Sequence, residues 1–462
     1  AGTYVGTMTV TIGGESKNLP ITLEVSSASI GAETHAKSVF LNEWSFFRGE
    51  VDMTEEMYDI YNKKLFEYRL GCNNVTRNIR DFEYIAQKAC EYAKIPECAG
   101  YNLPYFTRNC KNGGFYLNGR ELTHSISYDP DKLQELWLTV AYEGLKQNVD
   151  PFKKAVLYGY DEPELDLGHD YAKTAIVEWS YVVKQSKALV IEQLSLDKSI
   201  ENQELLAEIL VSIEKLPHVV TSSVLFDTNP EYEDLVYCPY FSKLETADVR
   251  DAFRRTSDNE LWWYGCTSPK NPYPTYHIDD NVLSARVVSW MQADYNIQGN
   301  LYWATTFYQD PSVNSIMAFQ EDYYGGAADR CLNIAGEGYL FYPGARYGID
   351  GPLPSLRLEQ IRDGLEEYEM IYKLSEIYEN VSEKIGKVFN EDAIMFYLYD
   401  TMYAGSRVST TAENFEYNRS LLLSLFELAS SKAQVCITNV LESSGGYKFE
   451  VYANEGYTLK QA

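Results

Sequence analysis

Apolar and polar positions alternate along the first 25 residues of the chain. Residues 3–12 and 20–25 follow this pattern on either side of Gly13-Gly14, which predicts two antiparallel strands joined by a tight turn. Two strands alone are only marginally stable in water, so the hairpin is expected to join a larger sheet. We therefore interpret residues 1–31 as the end of an N-terminal β-sandwich.

From residue 32 to about residue 350, short apolar runs alternate with long amphipathic segments. This order is typical of βα units around a parallel sheet, and their number and spacing favour a (β/α)8 TIM-type barrel, of α/β class, over an open doubly wound sheet. One strand is expected somewhere between residues 78 and 129. The other predicted strands are 38–44, 72–78, 155–160, 219–223, 235–239, 261–266 and 299–305.

Capping signals mark two helix starts in this region. Thr54 precedes an acidic first turn and an apolar face, which predicts a helix that ends at Gly71. Asp129 followed by Pro130 predicts a second start. Beyond the barrel, residues 351–431 are helical by pattern, and residues 432–462 return to alternation, which predicts a short β appendage.

The charge balance narrows the possible partners. A net charge of -27 repels phosphate backbones and anionic lipid, so neither nucleic acid nor a membrane surface is an expected partner. Apolar runs are too short for membrane insertion. The chain begins at Ala1 without a methionine or a signal peptide, and we interpret it as a fragment or a processed form whose targeting signal lies outside this sequence. The pattern leaves the oligomeric state open.

Cysteine and histidine spacing does not suggest a metal site, and no metal or cofactor is predicted. The eight cysteines lack a C-x-x-C pair and are interpreted mainly as buried thiols, with one disulfide among Cys90, Cys98 and Cys110 left open.

The stretch KAVLYGYDEPE, residues 154–164, places Asp161 and Glu162 directly after a predicted barrel strand. Active sites of this fold lie at the carboxyl ends of the strands. Because Glu162 precedes Pro163, we expect an extended backbone there. An isolated Asp-Glu-Pro also fits a helix cap and a solvated turn, but two crowded carboxylates favour one protonated and one ionised group, as glycosidic bond cleavage requires.

Adjacent carboxylates do not fit an ordinary double displacement. A retaining glycosidase of the usual kind needs two carboxyl groups about 5 Å apart on opposite walls of the cleft. Neighbours on one strand share a wall, so we expect the nucleophile to be the substrate's own 2-acetamido group. Glu162 would then be the acid and base, and Asp161 would orient and stabilise the acetamido N–H.

Several motifs relate the chain to a known family of enzymes. The chain resembles glycoside hydrolase family 123, whose members include retaining β-N-acetylgalactosaminidases that use the acetamido group. The resemblance implies a barrel preceded by a β-sandwich and followed by helices, with Asp161 as orienting carboxylate and Glu162 as acid/base. The chain departs from the family pattern at Phe307-Tyr308 and in its shortened sandwich. The motifs are YGYDEPE, WWYGC, PYPTYHIDD, WMQADYNIQGNLYWATTFY, GEGYLFYPG and PLPSLRLEQIRDGLEEYEMI.

Further candidates for substrate binding lie at other predicted strand ends. Trp303 is the preferred sugar platform and Tyr264 the preferred donor to the acetamido oxygen, although barrel core is the alternative for both. Asp279 or Asp280 could bind a sugar hydroxyl, and a cap for the helix that follows is the equal alternative. The remaining candidates are Tyr240, Asn42, Trp44 and His277.

The expected partner is therefore a glycan or glycoconjugate substrate. The predicted function is removal of terminal β-linked N-acetylgalactosamine by substrate-assisted catalysis. We expect the enzyme to be bacterial and to be located outside the cell or at the cell surface. A β-N-acetylglucosaminidase, which differs at the O4 epimer, and a noncatalytic carbohydrate-binding barrel are the alternatives.

Overall fold

The computed structural model describes residues 1–42, 51–111, 113–226, 234–254, 260–308, 336–444 and 446–458. The chain divides into two compact units. One contains residues 32–365 and 403–409, and the other contains residues 1–31, 366–402 and 410–462. The domain boundaries expected from the sequence at residues 350 and 431 stay a prediction.

The larger unit is built on eight parallel strands that close into a barrel. Hydrogen-bonded pairing joins the first six strands in chain order, and it also joins the seventh strand to the eighth and the eighth to the first. The sixth and seventh close the ring through a bridge between Tyr240 and Tyr264. The strands, first to eighth, are Lys37–Phe40, Cys72–Asn74, Tyr101–Asn102, Ala155–Tyr158, His218–Val220, Val236–Tyr237, Trp262–Gly265 and Gly299–Tyr302.

The TIM-type barrel is thereby confirmed, and the strand that the sequence left unplaced is Tyr101–Asn102. A strand of two residues is too short to carry an alternating or apolar pattern of its own, so only its neighbours in the barrel identify it. Side chains from several strands fill the barrel interior, as a packed barrel core requires: Val39, Val156, Val219, Val236, Cys238, Trp262, Tyr264 and Leu301.

Helices follow the strands along the chain in the order that defines βα units. In the larger unit they are Glu55–Glu67, Phe82–Ala93, Pro130–Gln147, Pro163–Leu167, His169–Leu196, Gln203–Glu214, Ala247–Phe253 and Leu283–Asp294, and Leu356–Ile385 begins there. Short antiparallel pairs join Thr107–Asn109 to Ile126–Tyr128, Phe115–Leu117 to Arg120–Leu122, Phe341–Pro343 to Pro352–Pro354, and Tyr403–Ala404 to Arg407–Val408.

Both predicted capping residues act as caps. The Thr54 side chain accepts a hydrogen bond from the N–H of Met57, and the Asp129 side chain accepts from two N–H groups of its first turn. The predicted end of the first helix was wrong: it ends at Glu67, before Arg69 adopts a positive φ of 58°. Gly71 is instead needed for close strand packing, because a Cβ there would lie 2.1 Å from the Ser38 carbonyl oxygen.

The smaller unit contains two β-hairpins and helices. Gly2–Ile12 pairs with Glu15–Val25 along its whole length, and among the described residues this sheet has these two strands alone. Its expected place in a larger sheet stays a prediction. Asp392–Asp400 and Ala412–Ser430 are helices of this unit, and Cys436–Ser443 pairs with Gly446–Tyr452.

The described residues also bear on the expectations about membranes, metals and disulfides. The helices there include none that is long and apolar enough to cross a bilayer. Within the same ranges, no group of three or more His, Cys, Asp or Glu side chains is placed to hold a metal ion. Cys90, Cys98 and Cys110 are free, buried thiols.

Candidate active site

Asp161 and Glu162 lie just beyond the fourth barrel strand, between Tyr158 and the short helix that begins at Pro163. The expected extended backbone at Glu162 was wrong, since its φ of 39° and ψ of 54° are left-handed. The Glu162 N–H donates to the Thr221 hydroxyl at 2.9 Å, which fixes this turn against the end of the fifth strand. A left-handed residue before proline is sterically unfavourable, and such strain is typical of functional sites.

Two tyrosine hydroxyls hold the Glu162 carboxylate. Tyr240 donates to Oε1 at 2.8 Å, and Tyr264 donates to the same oxygen. The two rings stack with their centroids 4.2 Å apart. Burial raises the pKa of both tyrosines well above the ordinary value, and the neighbouring Glu162 carboxylate raises it further. Both phenols therefore stay neutral donors at physiological pH.

Asp161 is anchored in the same manner by another pair of hydroxyls. Tyr158 and Thr221 each donate to its Oδ1 at 2.7 Å. Burial raises the pKa of Tyr158, and the charge of Asp161 raises it further, so this phenol is also a neutral donor. The Asp161 side chain itself is exposed.

Within the described part of the chain, each carboxylate thus has one oxygen that is bonded to protein and one that is not. Among the described residues, neither Oδ2 of Asp161 nor Oε2 of Glu162 has a hydrogen-bond partner in the protein. The anchored oxygens restrict rotation of the two groups, and the other oxygens remain available to a ligand. This arrangement can orient a donor at Asp161 and transfer a proton at Glu162.

A cavity of about 630 Å³ opens beside Asp161, within the range of small-ligand sites. It extends over the carboxyl ends of the first four strands, where the fold places active sites. Its lining includes amide side chains and aromatic rings, a mixture suited to the hydroxyl edges and apolar faces of sugars: Asn73, Asn74, Asn102, Tyr105, Phe106 and Tyr158.

On the other side of the barrel mouth, a buried carboxylate contacts two of the predicted site residues. Glu337 is 0% exposed and accepts a hydrogen bond from the Trp303 indole N–H. The His277 Nε2 lies 2.8 Å from a Glu337 oxygen. Trp303 is half-buried, so part of its indole can contact a ligand while Glu337 fixes its orientation.

The protonation state of His277 follows from these neighbours. Burial lowers the pKa of His277, but the hydrogen bond and charge of Glu337, with smaller contributions from the Cys266 carbonyl and Asp280, raise it above the ordinary value. The neighbouring carboxylates therefore favour the protonated form of His277, and Asp280 lies 3.4 Å from its Nδ1.

Arg357 holds together the two loops that carry His277 and Glu337. Its guanidinium donates to the carbonyl oxygens of Tyr276 at 2.6 Å and Gly336 at 2.7 Å, and also to that of Tyr339. Among the described residues, the hydrogen-bond partners of this guanidinium are backbone carbonyls. A planar fork of donors suits such a bridge.

Other predicted site residues lie apart from the carboxylates. Asn42 is fully buried and bonded to Asn62 and Thr305, which makes it part of the packed interior. Asp279 is exposed, and the following helix begins at Leu283 without a side-chain cap, so the capping alternative for Asp279 and Asp280 was wrong. Trp44 lies outside the described residues.

Sequence reasoning missed Thr221, Tyr158 and Glu337. Thr221 directly follows the fifth strand, so its position at a strand end is the same signal that identified Asp161. Glu337 lies in the motif GEGYLFYPG, which carries the family resemblance, but no role was predicted for any single residue of this motif. Tyr158 lies within an apolar strand and carried no separate signal.

Comparison with known proteins assigns the class of protein. Residues 186–374 match the family model for the catalytic domain of glycoside hydrolase 123. The class is therefore that of glycoside hydrolases, enzymes that hydrolyse glycosides, and the resemblance to family 123 is confirmed over this segment. The matched segment contains Tyr240, Tyr264, His277, Trp303 and Glu337, whereas Asp161 and Glu162 precede it.

A similar solved structure is a family 123 glycoside hydrolase from Clostridium perfringens, described for glycolipid glycan hydrolysis. It is 13% identical, covers 92% of this chain and 76% of its own, and has a TM-score of 0.48. The curated proteins contain no match to the chain.

Proposed function

We propose that this glycoside hydrolase is a retaining enzyme that removes terminal β-linked N-acetylgalactosamine by substrate-assisted catalysis. The observation that carries the proposal is the pair Asp161 and Glu162 on one strand end, each with one anchored and one available oxygen. Two carboxylates on one wall suit a reaction whose nucleophile is the substrate.

Glu162 is the general acid and base in this proposal. Its available Oε2 protonates the leaving glycosidic oxygen and later removes a proton from the attacking water. Tyr240 and Tyr264 hold Oε1 throughout and thereby keep the carboxyl group in one orientation. The earlier prediction that Tyr264 donates to the acetamido oxygen stays a prediction, since its hydroxyl donates to Glu162 in this structure.

Asp161 receives the acetamido N–H on its available Oδ2. The acetamido carbonyl oxygen then attacks C1 and forms a bicyclic oxazolinium-type intermediate, whose positive charge the Asp161 carboxylate stabilises. Water opens the intermediate with Glu162 as base, and the configuration at C1 is retained.

The surroundings of Glu337 support this choice of nucleophile. Glu337 is fully buried, and its oxygens are bonded to Trp303, His277 and Tyr302. It is therefore unsuited to attack an anomeric carbon from the opposite wall. Trp303, held by Glu337, is proposed as the sugar platform.

A β-N-acetylglucosaminidase remains the alternative within the same mechanism, because the two sugars differ only at O4. The noncatalytic barrel is less favoured, because a pure binder does not need two carboxylates held with one available oxygen each. Secretion from a bacterium stays a prediction.

The proposal is tested first by assaying hydrolysis of a panel of 4-nitrophenyl β-glycosides and then by titrating an inhibitor. We expect 4-nitrophenol release from the N-acetylgalactosamine compound and little from the corresponding galactoside. A thiazoline analogue, which mimics the cyclised intermediate, should bind much more tightly than the free sugar in isothermal titration. Release confined to sugars without an acetamido group would exclude the mechanism.

A further inference from the structure

Arg80 lines the 630 Å³ cavity beside Asp161 and also a neighbouring cavity of about 540 Å³. Among the described residues that line the first cavity, Arg80 is the one cation and Asp161 the one anion. Because Arg80 lines both cavities, a glycan that extends from Asp161 toward the second cavity passes this residue.

The Arg80 guanidinium has no ion pair or hydrogen bond to the rest of the described protein. This is notable in a chain with 67 acidic and 40 basic residues, where an exposed arginine has many possible carboxylate partners. Nearby arginines are engaged: Arg77 donates to the Met53 carbonyl, and Arg108 lies 3.4 Å from an Asp131 oxygen.

Local structure fixes the backbone position of Arg80. Its N–H donates to the Asn78 side chain at 3.2 Å, and the N–H of Asp81 donates to the Asn78 carbonyl at the same distance. Asp81 then caps the helix Phe82–Ala93 by accepting from Tyr84. Arg80 therefore lies in an ordered loop after the second strand, on the face where barrel active sites form.

The chemistry of the side chain indicates its ligand. A guanidinium presents a planar fork of donors that matches the paired oxygens of a sulfate or a carboxylate. The amide side chains of Asn73, Asn74 and Asn102 belong to residues that line the same cavity, and they are uncharged. The guanidinium adds what these amides lack, a positive charge.

We propose that Arg80 is a specificity-determining residue that binds an oxyanion on the glycan, a sulfate ester or a carboxylate. The proposal rests on the function proposed above, and it adds that the preferred substrates are acidic glycans. The oxyanion has two possible sources: a sulfate on the terminal amino sugar, or the carboxylate of the sugar that leaves.

Two substrate pairs distinguish these sources. The first pair is 4-nitrophenyl β-N-acetylgalactosaminide and its 6-sulfate. The second is β-N-acetylgalactosaminyl-(1→4)-glucuronic acid and its glucose counterpart. For one pair we expect the charged member to have a kcat/KM roughly three- to thirtyfold above the neutral one, with a smaller preference at high salt because Arg80 is exposed.

Arg80→Gln should bring this ratio of charged to neutral kcat/KM close to one. Arg108→Gln is the matched control, because it removes the same charge near the barrel mouth from an arginine already paired with Asp131. The control should keep the wild-type ratio. Equal losses of the ratio in both variants would show long-range attraction rather than binding at Arg80, and would overturn the proposal.

Two further outcomes overturn it as well: no preference for either charged member in the wild type, or an unchanged preference in Arg80→Gln. Failure of the proposed function is recognised separately, as absence of hydrolysis of all four substrates. In that event, isothermal titration with N-acetylgalactosamine 6-sulfate and N-acetylgalactosamine gives the deciding result. Tighter binding of the sulfate in wild type but not in Arg80→Gln supports the proposal, and equal binding overturns it.

Discussion

The two sides of the barrel mouth differ in how firmly they are held. On the side of the last strands, Glu162 is bonded to two stacked tyrosines, and the buried Glu337 contacts both His277 and Trp303. On the side of the first strands, Asp161 faces a wide cavity and is itself exposed. We call these the closed side and the open side.

The difference shows how one site can combine exact chemistry with a variable substrate. Proton transfer depends on the position of the acid within fractions of an ångström, so the closed side is preorganised by buried donors. Recognition of the rest of a glycan needs space and adaptable polar groups, which the open side offers. Substitutions on the closed side should therefore mainly affect the rate of the chemical step, and substitutions on the open side should mainly affect recognition of the glycan.

The largest effect is expected for Glu162→Gln. Without the acid, hydrolysis of natural glycans should fall by about 10²- to 10⁴-fold, while activated 4-nitrophenyl substrates, which need little protonation, should retain part of the rate. Parallel measurement of kcat on both substrate classes tests this. Wild-type turnover of a natural glycan by the variant would remove Glu162 from its proposed role.

Asp161→Asn should have the next largest effect, roughly ten- to hundredfold, on both substrate classes. The loss of the charge weakens orientation of the acetamido group and stabilisation of the cyclised intermediate, which is needed whatever the leaving group is. Titration with the thiazoline analogue and with free sugar should show a greater loss for the thiazoline. Equal losses would mean that Asp161 only holds the sugar.

Tyr264→Phe should lower kcat/KM by about five- to tenfold, because Glu162 loses one donor and keeps the other from Tyr240. Tyr240→Phe is the matched variant, and we expect the double variant to be slower than either single one. Thermal unfolding of all three separates an effect on Glu162 from a loss of packing. An unchanged rate in the double variant would show that the tyrosines are not needed to position Glu162.

The smallest effect on activity is expected for His277→Gln, whose main consequence is on stability. The raised pKa of His277 means that its pairing with Glu337 stabilises the fold fully below the ordinary histidine pKa of about 6.5 and that this contribution is lost as pH rises through the raised value. At pH 6 the variant should lose about 1.5–3 kcal/mol of unfolding free energy.

Urea unfolding of wild type and His277→Gln at pH 6 and pH 9 measures this difference. The advantage of the wild type should be smaller at pH 9 than at pH 6. The same advantage at both values would show that the imidazole is not held as a cation by Glu337. A fall in kcat/KM without a change in stability would instead place His277 in contact with substrate.

Hydrophobic periodicity and strand-end position were sufficient to predict the barrel and its carboxylate pair. Seven barrel strands begin within one residue of their predicted starts, because apolar runs between helices are a local property of the chain, but they end one to four residues before their predicted ends. The caps at Thr54 and Asp129 were also predictable, since a cap and its N–H partners are close in sequence. Asp161 and Glu162 stood out because they follow such a strand directly.

Only the tertiary structure decided how the two carboxylates are held. The Thr221 hydroxyl that anchors Asp161 lies 60 positions further along the chain, and the Tyr264 hydroxyl that anchors Glu162 lies 102 positions further. Such partners meet because barrel closure brings the ends of different strands together, and no local pattern encodes which hydroxyl points at which carboxylate. The left-handed turn at Glu162, contrary to the local effect of Pro163, depends on the same contacts, since the Thr221 side chain that holds it belongs to another strand.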